Sequence, residues 1–181
     1  MRIYDILFEN TQEEDLLKSL EKNAYIAIKL SDDSREQLLN FDEVKEKIAE
    51  GWKPLAHHVS LVPPPSTGGF KRLLQNIEFE PRDQKGGWTG KIDQWQEFKN
   101  KILDLLNKQT EFVATEIGMS DDALAVKVRV PELESFMPLN NFLHVTLATP
   151  TGGGAQKSKD IKTFEPVRET VMLSGIVSVI G

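Results

Sequence analysis

Hydrophobic and polar positions alternate with two different periods along this chain, and the switches between them outline its elements. From Ala24 to Leu30 the run AYIAIKL has a period of two: Ile26, Ile28 and Leu30 share one face of a strand, and Tyr25, Ala27 and Lys29 share the other. The same reading predicts strands over about 56–62 and 142–149. It predicts a hairpin from Phe112–Gly118 and Ala123–Val130 around Met119 to Asp122, and one or two closing strands over Val171–Ile180, bent at Gly175. A period near 3.6 is clearest over Asp93–Lys108, where Ile92, Trp95, Phe98, Ile102, Leu105 and Leu106 recur on one side.

Local signals add shorter helices. Thr11 to Glu14 reads as a capping box opening a helix with Leu16, Leu17 and Leu20 on its apolar side. Ser31 caps a helix that runs to about Asn40, and a second runs from Asp42 to Glu50 and ends at Gly51. Trp52 to Pro54 form a loop leading into the strand over 56–62. Pro63 to Pro65 stop that strand, Ser66 to Gly69 continue as loop, and 70–77 form a helix. The stretch 81–90, PRDQKGGWTG, reads as irregular and exposed.

Composition narrows the function classes. The 181 residues suit one compact domain or two small intimate lobes, with an ordinary 39% hydrophobic and 28% charged content. No apolar run approaches the roughly 18 residues a membrane helix needs, and Asp5 and Glu9 interrupt what would be a signal region, so a cytoplasmic, membrane-free protein is expected. There is no cysteine, which excludes disulfides, thiolate metal sites and cysteine nucleophiles. A formal net charge of -6 argues against tracking long nucleic acid and favours a small phosphorylated ligand or the end of a nucleic acid.

Two of the three histidines open nearly identical runs, His58-Val59-Ser60-Leu61 and His144-Val145-Thr146-Leu147. In a strand, residues two apart share a face, so each run offers an imidazole and a hydroxyl side by side. The surroundings repeat as well. Ala27 to Leu30 matches Ala125 to Val128, and each motif strand runs into proline and then Thr-Gly-Gly, at Thr67 to Gly69 and Thr151 to Gly153. This ordered series reads as an internal duplication of a small α+β unit, at a period too long for a solenoid. The expected architecture is two lobes about an approximate twofold axis.

Two facing imidazoles suit the opening of a cyclic phosphodiester. One takes a proton from water as it attacks phosphorus, and the other gives a proton to the departing sugar oxygen on the opposite flank. Histidine does either near neutral pH, and each transfer is worth roughly 10²–10⁴ in rate. The Ser60 and Thr146 hydroxyls would donate to non-bridging phosphate oxygens. The pair of motifs resembles the twin H-x-[ST]-hydrophobic signature of the 2H phosphoesterase superfamily, which includes 2′,3′-cyclic phosphodiesterases, RNA-end-processing enzymes and phage enzymes that cut cyclic oligonucleotide signals. The resemblance implies an α+β bilobal duplicated fold, with two antiparallel sheets lining a central cleft and helices outside. It implies one bilobal domain over 1–181 and metal-independent cleavage without a cofactor. It makes His58 and His144 the acid–base pair, without saying which is which, and Ser60 and Thr146 the phosphate-binding hydroxyls.

Other residues join the candidates on position alone. Lys29 and Lys127 hold equivalent places before the two motifs and would line the cleft, with Tyr25 on the face of Lys29. Trp52 and Trp88, in loops, are candidates for stacking on a base. His57 falls on the opposite strand face from His58 and is expected to be packed or solvated. The substrate expected is a small nucleotide, a cyclic oligonucleotide or an RNA end, handled by a monomer. Cleavage of cyclic di- or trinucleotide signals is a second reading, and non-catalytic nucleotide binding is a third. A zinc site is poorly supported by three histidines without cysteine or an H-E-x-x-H run.

Overall fold

A computed structural model describes residues 3–79, 90–140 and 142–181. The two motif strands sit at or near opposite ends of one antiparallel sheet. Its strands are β1 (Tyr25–Leu30), β2 (Lys53–Pro54), β3 (His58–Val62), β4 (Gln109–Met119), β5 (Leu124–Arg129), β6 (Leu143–Thr149) and β7 (Phe164–Ile180), in spatial order β2-β6-β5-β4-β7-β1-β3. The sheet curls. Residues 53–56 pair along β6 while 58–62 pair along β1, so one segment of chain links the two ends.

Two sheets were expected from the sequence, and the described strands form one. The reason is the length of β7. Its 17 residues pair with β4 from Phe164 to Pro166 and, past a register shift, from Val171 to Ile176, and with β1 from Gly175 to Ile180, joining both halves through one strand. The strand runs through Gly175 without a break. Glycine there serves close approach, since a Cβ would collide with the Lys29 carbonyl oxygen.

One face of the sheet is covered by helices. The α1 (Ile3–Ser19), α4 (Pro64–Leu74) and α5 (Ile92–Leu105) helices contribute Leu16, Phe70, Leu73, Trp95 and Phe98, with Leu20 just past α1, to a core shared with Ile26, Ile28, Val59, Val126 and Val145. Phe98 meets Trp95 and Phe70 edge-on, with centroids 5.3 and 6.3 Å apart. The α2 (Asp32–Leu39) and α3 (Asp42–Ala49) helices follow β1. Ser31 caps α2 by accepting from the Ser34 N–H at 3.2 Å, as its sequence predicts.

Lys53 and Pro54, expected as loop, form the short edge strand β2, and two further local expectations fail for identifiable reasons. Thr11 does not open a helix, because α1 already runs through it; a capping box inside an uninterrupted helical stretch has no free N–H to cap. Pro64 to Gly69 are not loop but the start of α4, since proline lacks a donor that the first helical turn does not need. The two Thr-Gly-Gly segments therefore differ in structure: Thr67 to Gly69 are helical, and Thr151 and Gly152 form a turn. The irregular stretch expected over 81–90 lies, except for Gly90, outside the described residues. No described helix is long and apolar enough to cross a membrane.

Candidate active site

Both motif strands bury alternate residues. Val59, Leu61, Val145 and Leu147 are fully buried, while His58, Ser60, His144 and Thr146 are half-buried on the opposite face. A slip of one residue would drive an imidazole into the core, so the apolar set fixes which face the histidines take.

The partners across the ladder repeat as well. Lys29 stands opposite His58 and Ala27 opposite Ser60; Lys127 stands opposite His144 and Ala125 opposite Thr146. The register even shifts at matching points, between Ile26 and Ala27 and between Leu124 and Ala125. Each motif residue thus meets the same residue type across the strand pair.

The two motif strands also touch. The Leu55 N–H donates to the Leu147 carbonyl at 2.8 Å and the Ala56 N–H to the Thr146 carbonyl at 2.9 Å. Ala56 then takes a left-handed φ of +55°, and the chain leaves β6 to run along β1. The kink explains why β3 begins at His58 rather than at residue 56.

His58 lies against Tyr25. Their ring centroids are 5.3 Å apart, and the phenol oxygen is 3.3 Å from Nε2. Burial lowers the His58 pKa below its usual 6.5, aided by the neighbouring charges of His57 and His144. Burial raises the Tyr25 pKa, so its phenol keeps its proton.

His144 is held differently. Burial lowers its pKa, opposed by a hydrogen bond to the Phe142 backbone. A bond that favours the cation is one in which a ring N–H donates to the carbonyl, which occupies one nitrogen and leaves the other for chemistry. The Phe142 ring lies 5.4 Å from the imidazole and 5.4 Å from Phe164.

The matched residues differ in what they are free to do. Lys127 is engaged: Nζ is 3.0 Å from the Glu116 carboxylate and lies over the rings of Phe164 and Phe142, at 4.3 and 5.3 Å. Lys29 is exposed and forms no ion pair among the described residues. The Thr146 hydroxyl is 2.8 Å from the Ser158 hydroxyl and 3.3 Å from the Ala155 carbonyl, so its single proton is already committed within the chain. The Ser60 hydroxyl has no such partner among the described residues.

The remaining candidates separate. Trp52 packs on the core beneath the Lys47 ammonium, 5.2 Å from its ring, and so pins a loop. Trp88 lies outside the described residues. His57 is exposed and lines a groove with His58, Lys29 and Arg35; burial and then Arg35 and Lys53 hold its pKa low. Phe142 and Arg35 were not singled out from the sequence. Phe142 was within reach of the alternation, two residues before His144; Arg35 comes from α2 and carries no motif signal.

Beside His58, the Lys29 ammonium and the Ser60 hydroxyl have no partner among the described residues, and the set of imidazole, ammonium and hydroxyl suits an anion. No protein-family model matches the sequence, and no curated protein is recognisably similar to it. Among solved structures, the chain is similar to a fungal RNA kinase at 14% identity, over 87% of this chain and 42% of that one, with a TM-score of 0.45. The chain thus spans less than half the length of that neighbour.

Proposed function

We propose that this chain is a phosphodiesterase that opens a 2′,3′-cyclic phosphate, or a related phosphodiester, on a nucleotide or short oligonucleotide. The observation that carries the reading is the repeated register: Lys29 opposite His58 and Lys127 opposite His144, with a hydroxyl residue two further along on each motif strand. We read the two halves as a duplicated unit, each delivering one imidazole to a shared phosphate, as the 2H phosphoesterase resemblance implies.

In this reading one imidazole takes a proton from water as the water oxygen bonds to phosphorus. The other gives its proton to the ribose oxygen as the ring P–O bond breaks. Ser60 and Lys29 steady the charge on the non-bridging oxygens. Thr146 joins them only if its hydroxyl turns from Ser158. Lowered pKa values on both histidines mean that a bound anion must supply the field that keeps the acid protonated.

The test is hydrolysis of 2′,3′-cyclic mononucleotides and cyclic-phosphate-ended oligonucleotides by wild type, His58→Ala and His144→Ala. The expected result is loss of at least 10²-fold in kcat/KM for each variant with an unchanged circular dichroism spectrum. Full turnover by either variant would overturn the reading. Cyclic dinucleotides belong in the same panel, since the catalytic groups would be shared.

A further inference from the structure

The register lays out one row across four strands: His58 on β3, Lys29 on β1, Ile176 on β7 and Gln109 on β4. Directly opposed residues in antiparallel strands point to one face, and neighbouring strands lie about 4.8 Å apart. The row therefore places an ammonium one strand from the imidazole, an apolar side chain about 10 Å away, and an amide about 14 Å away. A second row, Ser60, Ala27 and Ser178, runs beside it.

A continuous trough follows these rows. The groove at His58 and the one over Ile176 share Lys29, Leu30, Asp32 and Ser178 as walls, and the second alone holds about 810 Å³. Its floor carries Met172, 58% exposed, and Ile176, 49% exposed, on the same face as His58, Lys29 and Ser178. Charge changes sign along it. Both ends share Lys29 and Asp32; Arg35 adds a positive charge at the His58 end, while Asp33 and Glu111 add two negative charges at the far end. An anion is favoured at the first and repelled at the second.

We propose that this trough holds a second nucleoside of the substrate, one linkage upstream of the phosphate being opened. This rests on the phosphodiesterase reading and names its substrate class: an oligonucleotide with a 2′,3′-cyclic phosphate end, rather than a cyclic mononucleotide. Lys29, between His58 and Ile176, faces the linking phosphate on one side and the phosphate being opened on the other. Met172 and Ile176 meet the flat face of the base. Gln109 and Glu111 accept from its N–H edge, where no phosphate would be tolerated.

The experiment compares KM for a dinucleotide ending in a 2′,3′-cyclic phosphate with KM for the matching cyclic mononucleotide. It uses wild type, the uncharged Ile176→Asn and the milder Met172→Ala, both at exposed positions. The expected result is a dinucleotide KM at least tenfold below the mononucleotide KM in wild type. Ile176→Asn abolishes that advantage, Met172→Ala reduces it, and mononucleotide kinetics stay within about twofold. Equal KM values in wild type, or variants that change both substrates alike, overturn the subsite and leave the phosphodiesterase reading standing. If wild type cleaves neither substrate, that reading fails first and the subsite fails with it.

Discussion

The Ala56 N–H donates to the Thr146 carbonyl at 2.9 Å, tying the residue two before His58 to the residue two after His144. The bond requires Ala56 to sit at φ +55°, fully buried. An alanine in the left-handed region costs roughly 1–2 kcal/mol, and a β-branched residue costs more. Ala56→Val is therefore expected to lose at least ~2 kcal/mol of stability and to lower kcat by shifting His58 at the start of β3. Ala56→Gly is expected to keep both. Thermal melts and kcat on a cyclic nucleotide check this; a valine variant unchanged in both would show that the kink does not set the spacing of the motifs.

Tyr25→Phe removes the phenol 3.3 Å from His58 Nε2 and keeps the ring contact. A single hydrogen bond of this kind contributes about 0.5–1.5 kcal/mol to the folded state, so stability is expected to fall by no more than that, and kcat/KM to fall about two- to tenfold as His58 loses the group that orients it. The limb of the pH profile that reports His58 should shift as well. A profile that drops in height but keeps its shape would assign Tyr25 to packing alone.

Ser60 and Thr146 hold matched places and should respond in opposite ways. Thr146→Val leaves the fully buried Ser158 hydroxyl without the partner it has at 2.8 Å, and should cost about 1–3 kcal/mol of stability. Ser60→Ala removes a hydroxyl with no partner among the described residues, and should cost activity with little change in stability. Denaturant midpoints and kcat/KM, measured on both variants, separate the two roles.

Lys29 and Lys127 invite the same comparison. Lys29→Ala is expected to raise KM several-fold without moving the melting temperature, because its ammonium has no partner to lose among the described residues. Lys127→Ala strips Glu116 of its cation and Phe142 and Phe164 of the charge above them, so stability and the setting of His144 should suffer. A KM unaffected at Lys29 would remove it from the phosphate-binding group.

The sequence was most legible where an apolar stripe dictates the face. Val59, Leu61, Val145 and Leu147 must be buried, which leaves His58, Ser60, His144 and Thr146 one face to occupy. What it could not show was which matched residues are already engaged. Lys127 and Thr146 are bound by Glu116, Ser158 and Ala155, partners from other strands and turns that pairwise similarity does not reveal. Nor did it show that α4 starts at Pro64, since three prolines signal the end of a strand and the first turn of a helix equally well. The joining of both halves through β7 rests on a long-range pairing, Lys29 with Ile176 and Ile176 with Gln109, that alternation alone does not encode.

Acid should act on both stability and activity through the same two imidazoles. Burial, the first cause in each, holds the folded pKa values of His58 and His144 below the ordinary 6.5. Between those lowered values and 6.5 the unfolded chain binds more protons than the folded one. Stability therefore rises with pH across that window, is fully present above 6.5, and is lost as pH falls through the folded values. His58→Gln should flatten part of that slope in urea melts taken across the window. For activity, kcat/KM reports the free enzyme, and with both its acid and its base below 6.5 the maximum should fall on the acid side of that value. The kcat maximum should lie at higher pH, because a bound phosphate anion favours the imidazolium. A kcat/KM maximum near pH 8 would mean that at least one of these histidines does not carry the proton transfer.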